Sequence, residues 1–192
     1  MTAPEAHPFI VGIGGTVRPN SSSEKALARA LEAAEALGAR TRLFGGAFLS
    51  RLPHYNPHDP TVSEEETEYL EAVRACDGLI VATPGYHGSL SGLIKNALDV
   101  LEGLREDGRP YFDGRAVGCI VTANGVQAGG SALAALRAIV HAMRGWPTPL
   151  GVTLNASEIL FSDEGALLDP QHVWAVGCLA GQVVGFARAQ AA

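Results

Sequence analysis

A doubly wound α/β fold, built on a five-stranded parallel sheet with helices on both faces, is what this sequence predicts. Three observations carry it. Runs such as Phe9-Ile-Val-Gly-Ile13, Leu79-Ile-Val-Ala82 and Val117-Gly-Cys-Ile-Val121 contain no polar side chain, as strands buried on both faces require. Between these runs, apolar residues recur every three or four positions, which is the helical period. Strands alternating with helices indicate parallel strands joined by crossover helices.

Taken in order, Phe9–Ile13 is the first strand and ends in glycines. Leu27, Ala30, Leu31, Ala34 and Leu37 then mark one helical face, with Gly38 as the stop. Arg42-Leu-Phe44 is a short second strand, followed by a loop rich in Pro, Gly and His from Gly45 to about Ser63. Ser63 and Glu66 have the spacing of a capping box and open a helix to about Ala75. Leu79–Ala82 is the third strand. Leu90, Leu93, Ile94, Ala97, Leu98, Leu101 and Leu104 form the strongest helical stripe. Val117–Val121 is the fourth strand, with a helix from about Ser131 to Met143 after it. Gly151-Val-Thr-Leu154 is the fifth, and Gln171 to Arg188 a final helix.

The 192 residues fit one domain, 1–192. At 47% hydrophobic residues the chain can bury a substantial core. Fourteen Lys and Arg against twenty Asp and Glu give a formal charge of −6, which speaks against a nucleic-acid partner. Cys76, Cys119 and Cys178 show no metal or disulfide spacing and read as buried small hydrophobes. Met1-Thr-Ala-Pro-Glu-Ala-His7 lacks the basic and apolar regions of a signal peptide. Val173 to Ala187 is interrupted by Gln182 and shorter than the ~20 residues of a membrane span. A cytoplasmic protein with no membrane partner is expected.

In doubly wound folds ligands bind beyond the carboxyl ends of the strands, so the loops after Ile13, Ala82 and Val121 are the ones that matter. The first, Gly12-Ile-Gly-Gly-Thr-Val-Arg-Pro-Asn-Ser-Ser-Ser-Glu24, offers hydroxyls, glycines and an arginine at a helix N-terminus. Helix amides and their dipole favour a phosphate there, and Arg18 adds a planar fork of donors. The simpler reading has Ser21 capping the helix with Glu24 as box partner. A dinucleotide fingerprint would need glycine at Val17, and a Walker A loop would need GKS or GKT. A mononucleotide phosphate remains.

The loop after the third strand reads Thr83-Pro-Gly-Tyr-His-Gly-Ser-Leu-Ser-Gly-Leu-Ile-Lys-Asn96. It resembles the P-x-Y-N-G-S-x-x-G-x-x-K-N signature of the NADPH-dependent FMN reductase family, whose fold is flavodoxin-like. Gly15–Ser23 is similar to that family's G-[ST]-x-R-x-x-S phosphate loop, and Leu52-Pro-His-Tyr-Asn-Pro57 to its L-P-x-Y-[ND] stretch. The resemblance covers about residues 8–155. It implies that Thr16, Arg18, Ser21 and Ser23, with Ser22 as a further donor, hold the FMN phosphate. It implies that Pro84, Gly85, Tyr86, His87 and Gly88 run along the isoalloxazine ring. Asn124 and Gly125 would lie closest to the ring from a third loop, with Gly129 and Gly130 opening the next helix. Two positions depart from the pattern. Gly85 stands where the family usually has Glu, and His87 where it usually has Asn. His87 has two open readings: it alters access over the ring, or it points to solvent.

Other constellations carry less. His54 and His58 beside Asp59 lie in a proline-rich loop rather than on a helix that would align them for a metal. Gly88-Ser-Leu-Ser-Gly92 places Leu90 where a serine nucleophile would stand. Glu64-Glu65-Glu66 complements a helix dipole. The Leu90–Leu104 stripe, with Trp174, Val176, Leu179, Val183 and Phe186 on the last helix, presents a wide apolar surface that would suit a homodimer or homotetramer; the alternative is burial within one chain. The expectation is an FMN-dependent oxidoreductase taking hydride from NADPH or NADH, with no side chain required as acid or base. Electrons would pass to a small-molecule acceptor: a quinone, azo, nitro or metal-oxyanion compound, or free flavin for a partner monooxygenase. The alternatives are a flavodoxin-like electron carrier and a flavin-binding regulator without turnover.

Overall fold

The structure is a computed structural model and describes residues 7–191. The reading of the N-terminal segment falls mostly on residues 1–6, outside the described residues. Strands β1 (Phe9–Gly14), β2 (Arg40–Phe44), β3 (Gly78–Tyr86) and β5 (Ala116–Ala123) form the parallel body of the sheet, in the order β2-β1-β3-β5. The next position is filled by two short pieces, β6 (Trp146–Pro147) and β7 (Val152–Asn155). β6 pairs with Ala116 and Val117, and β7 with Ile120 to Ala123. Both run parallel to β5, so they act as one strand interrupted where Pro147 and Pro149 withhold ladder donors. A further two-residue strand, β4 (Ser89–Leu90), folds back antiparallel on the end of β3. The predicted five strands thus occupy five positions in a sheet of seven segments.

Helices α1 (Ser22–Ala36) and α6 (Pro170–Ala191) cover one face, packing on Ile10, Ile80, Ile120 and Val152. On the other face α3 (Glu64–Ala75), α4 (Gly92–Val100) and α5 (Val126–Ala142) cover Val11, Ile13, Leu79, Val81, Val117 and Cys119. Odd and even residues of β1, β3 and β5 therefore enter different cores, which is why their central runs Ile10–Ile13, Leu79–Ala82 and Val117–Val121 carry no charged side chain. The Ser63–Glu66 capping box forms as expected, with both reciprocal bonds present.

Several expectations need correction. The Gly45–Ser63 loop contains a one-turn helix, α2 (Gly46–Leu49). α5 begins at Val126, not Ser131, so Gly129 and Gly130 lie inside it; packing of Ala132, Leu136 and Val140 outweighs the low helix propensity of glycine. The stripe on α4 continues as a 3-10 turn (Leu101–Leu104) and is consumed by the core: Ile94, Ala97, Leu98, Leu101 and Leu104 are all buried. On α6, Val176, Leu179 and Val183 are buried as well, while Trp174 stays 67% exposed. Cys76 and Cys119 are buried, but Cys178 is only half-buried on the outer part of α6. No described helix is long and apolar enough to cross a membrane.

Candidate functional site

The carboxyl ends of β1, β3 and β5 open into a cleft of about 790 Å3, within the range of about 300–1,000 Å3 usual for small-molecule sites. The β1–α1 loop supplies Thr16, Arg18, Ser21, Ser22 and Ser23, the β3 end supplies Pro84, Gly85, Tyr86 and His87, and the β5 end supplies Asn124. Ten of the sequence-predicted residues therefore meet at one place. Gly88, Gly125 and Gly129 do not line the cleft. Gly88 completes the β3–β4 turn, and Gly129 sits one turn into α5 against Thr153, 3.4 Å from where a Cβ would stand.

The β1–α1 loop is shaped by its own hydrogen bonds. Ser21 Oγ accepts from the Glu24 N–H at 3.3 Å and caps α1, and the Ser21 carbonyl accepts from the Lys25 N–H at 2.9 Å. The amides of Ser22 and Ser23 have no partner among the described residues, as expected of a first helical turn. Thr16 Oγ1 accepts from the Arg18 N–H at 3.1 Å and closes the loop before it. The capping reading of this loop holds in part. Ser21 is the cap, but the reciprocal bond of a capping box is absent.

The Glu24 carboxylate instead accepts from the Gly46 N–H at 2.8 Å, tying the loop to the start of α2. Gly46 is forced by this contact, since a Cβ there would lie 1.8 Å from the Thr16 carbonyl oxygen. Gly15, at φ +111°, completes the knot: its Cβ would meet Glu24 Oε2 at 2.5 Å. Sequence reasoning missed Glu24 and Gly46 as supports of the loop. The Gly45-Gly46 pair immediately after a strand was the available signal.

At the second wall, His87 (φ +52°) and Gly88 (φ +80°) are the two central residues of a tight hairpin between β3 and β4. Two positive φ values are the signature of a type I′ turn, which favours Asn-Gly; His is among the residues that tolerate this conformation. His87 is thus both exposed and on the lip of the cleft, beside the 53%-exposed Tyr86. Behind them, Thr83 Oγ1 accepts from the Ser91 N–H at 3.0 Å, and Ser91 Oγ caps α4. A Cβ at Gly85 would come 2.9 Å from the Ala123 Cβ and 3.3 Å from that of Ala132, so a glutamate would have to displace α5. The motif residue Asn96 holds the Leu52–Pro57 stretch: its side-chain amide donates to the Pro53 carbonyl and accepts from the Tyr55 N–H, both at 2.9 Å.

The third wall is fixed from β7. Asn155 Oδ1 accepts from the Gly125 N–H at 3.0 Å and holds the β5–α5 turn, where Gly125 sits at φ +99°. The Thr122 hydroxyl faces the cleft without a hydrogen bond to another described residue. Thr122, Lys25, Asn20, Ala128 and Ala156 line the cleft beyond those predicted. Thr122 was hidden because it reads as strand. Although the chain carries a formal charge of −6, the lining contains Arg18 and Lys25 and neither Asp nor Glu. The described residues contain no cluster of metal-ligating side chains.

A model of the NADPH-dependent FMN reductase family matches residues 8–158. An FMN-dependent NADPH-azoreductase of Staphylococcus haemolyticus is 32% identical over 132 residues, covering 66% of this chain. The match spans only 66% of that relative's length, just under two thirds. Among solved structures, the apo form of the NADH:FMN oxidoreductase EmoB superposes with a TM-score of 0.68 at 24% identity, covering 92% of this chain and 90% of that one. A flavodoxin of Streptococcus pneumoniae TIGR4 gives 0.63 at 11% identity, covering 92% and 98%. The fold is flavodoxin-like.

Proposed function

The chain belongs to the NADPH-dependent FMN reductase family, and on that premise we propose that it binds FMN in the 790 Å3 cleft and passes hydride from NADPH or NADH to an acceptor. The observation that carries this reading is the charge of the cleft: two cations and no carboxylate line it in an otherwise acidic chain. The Ser22 and Ser23 amides at the α1 N-terminus, without a partner among the described residues, suit a phosphate monoester. The glycines and small residues at the ends of β3 and β5 leave room for a planar ring to approach backbone donors.

In this reading Arg18 and the Thr16, Ser21, Ser22 and Ser23 group hold the phosphate. The Pro84–His87 edge and the Asn124–Gly125 turn border the ring, with Gly88 contributing through the geometry of the β3–β4 turn and Gly129 through close packing of α5 on Thr153. FMN supplies the hydride chemistry when bound. The protein aligns the reactants and holds the ring edge in backbone amides, and no side chain serves as acid or base. The exposed Tyr86 and Asn124 leave the mouth open, which favours direct reaction with a nicotinamide over a shielded electron carrier.

The acceptor is a small molecule, and the azoreductase relatives favour azo compounds; quinones, nitro compounds and free flavin for a monooxygenase are the other substrates the same chemistry serves. Exposed Trp146, Val173 and Trp174 support a homodimer or homotetramer, and the three free thiols a cytoplasmic setting. An anaerobic titration of the FMN-loaded protein with NADPH and then NADH tests the activity. Rapid loss of oxidised-flavin absorbance is expected. Binding of FMN without reduction by either nucleotide would overturn the reductase reading, and failure to bind FMN would overturn the assignment of the cleft.

A further inference from the structure

We infer that Lys25 is a second phosphate-binding cation of this cleft, held in place by Phe161; the inference rests on the FMN reading above. Lys25 is one helical turn beyond Ser21, so the two share a face of α1, and both line the cleft. Its ammonium forms no ion pair among the described residues. The same holds of several other cations, Arg18 among them, whereas Arg29 on the next turn of α1 is paired with Glu32.

The isolation of Lys25 is built in. Its neighbour Glu24 is committed to the Gly46 N–H. Asp163 and Glu164 border an adjoining concavity of about 370 Å3 that Lys25 also borders, yet neither pairs with it. Lys25 Nζ instead stands 5.7 Å from the centroid of the Phe161 ring, within the range of a cation–π contact. The segment carrying that ring is closed by the Phe161–Leu167 bridge and by the Ser162 N–H donating to the Ala166 carbonyl at 2.9 Å. A phosphate monoester carries about −1.5 to −2 charges at neutral pH, so Arg18 alone leaves close to one charge without a cation. Lys25 supplies it.

The test is to measure dissociation constants of FMN and riboflavin by flavin fluorescence for the unsubstituted protein, Lys25→Met, Lys25→Arg and Phe161→Leu. Loss of one charge-assisted contact predicts about a 10-fold weaker FMN complex in Lys25→Met, with riboflavin unchanged. Lys25→Arg should retain FMN affinity, and Phe161→Leu should lose a smaller part of it, again for FMN only. Tight FMN binding that Lys25→Met leaves intact would overturn the role of Lys25 while the FMN reading stands. Equal losses for both flavins would also overturn it, because the effect would not lie at the phosphate. If the unsubstituted protein binds neither flavin, the FMN reading fails and the role of Lys25 fails with it.

Discussion

The two ends of the sheet treat their polar groups in opposite ways. At the amino end, just before β5, Arg115 is fully buried and donates to three carbonyls: Cys76 through Nε at 2.9 Å, Tyr111 at 2.9 Å and Arg74 at 2.8 Å. Arg74 and Cys76 belong to the C-terminal end of α3, where a cation also meets the favourable end of the helix dipole. Burial pulls the guanidinium pKa down from its usual value. At the carboxyl end the first amides of α1, the Thr122 hydroxyl and the side-chain cations Arg18 and Lys25 stay without hydrogen-bond or ion-pair partners among the described residues. The first arrangement uses each guanidinium nitrogen to hold elements together. The second holds its donors open, and the Glu24–Gly46 tie keeps them so.

Removing the saturated end should cost the most stability. Arg115→Ala leaves the buried Cys76 carbonyl and the part-buried Tyr111 and Arg74 carbonyls without their donor and empties a core position, and is expected to lose about 3–5 kcal/mol in urea unfolding, with the flavin affinity of the folded fraction unchanged. A loss under about 1 kcal/mol would mean that water replaces the guanidinium there and would erase the contrast. Gly46→Ala attacks the tie between the two loops. Its Cβ cannot coexist with the Thr16 carbonyl, so FMN affinity should fall more than about 10-fold, with about 2 kcal/mol of stability lost. If only stability moved, the tie would not shape the cleft.

Arg18→Ala should weaken FMN binding about 10-fold or more, leave riboflavin binding alone, and change the unfolding midpoint little because Arg18 is exposed. The thiols sharpen the picture at the amino end. Burial pushes Cys76 and Cys119 up to about 12, whereas the unfolded chain ionises near 9, so folded stability is complete below pH 9 and declines as pH rises toward 12. The expected decline is about 1 kcal/mol per thiol by pH 10, and native-state alkylation at pH 8 should label Cys178 first. Smallest is Tyr69→Phe. The Tyr69 hydroxyl is buried without a partner among the described residues, so removing it should be neutral or stabilise by up to about 1 kcal/mol. A clear destabilisation would reveal a bound water.

Much of the carboxyl end was legible in the sequence because its chemistry is local. A strand, a glycine turn and a capped helix follow one another in Gly12–Glu24 and in Thr83–Asn96, so residue order alone brings Arg18, the serines and the Pro84–His87 edge to one rim. The amino end was not legible. Nothing in the sequence singles out Arg115, and only contacts with Arg74 and Cys76, some forty residues away, make it a core residue. Glu24 was misread for the same reason, since the Gly46 amide outcompetes the local capping bond. The early start of α5 and the interrupted strand escaped because tertiary packing overrides glycine propensity and prolines divide the ladder.

That interruption has a consequence for association. Between β6 and β7, the outer edge of the sheet offers little to another strand. Pro147 and Pro149 carry no N–H, the Leu150 N–H is taken by Gln182 Oε1 at 3.1 Å, and the Thr148 carbonyl is taken by Arg137 at 2.6 Å. An edge whose donors and acceptors are already engaged cannot template a foreign strand. The Pro147–Leu150 stretch is thereby guarded against strand addition, and beside it the sheet presents the paired rings of Trp146 and Phe186, 6.3 Å apart.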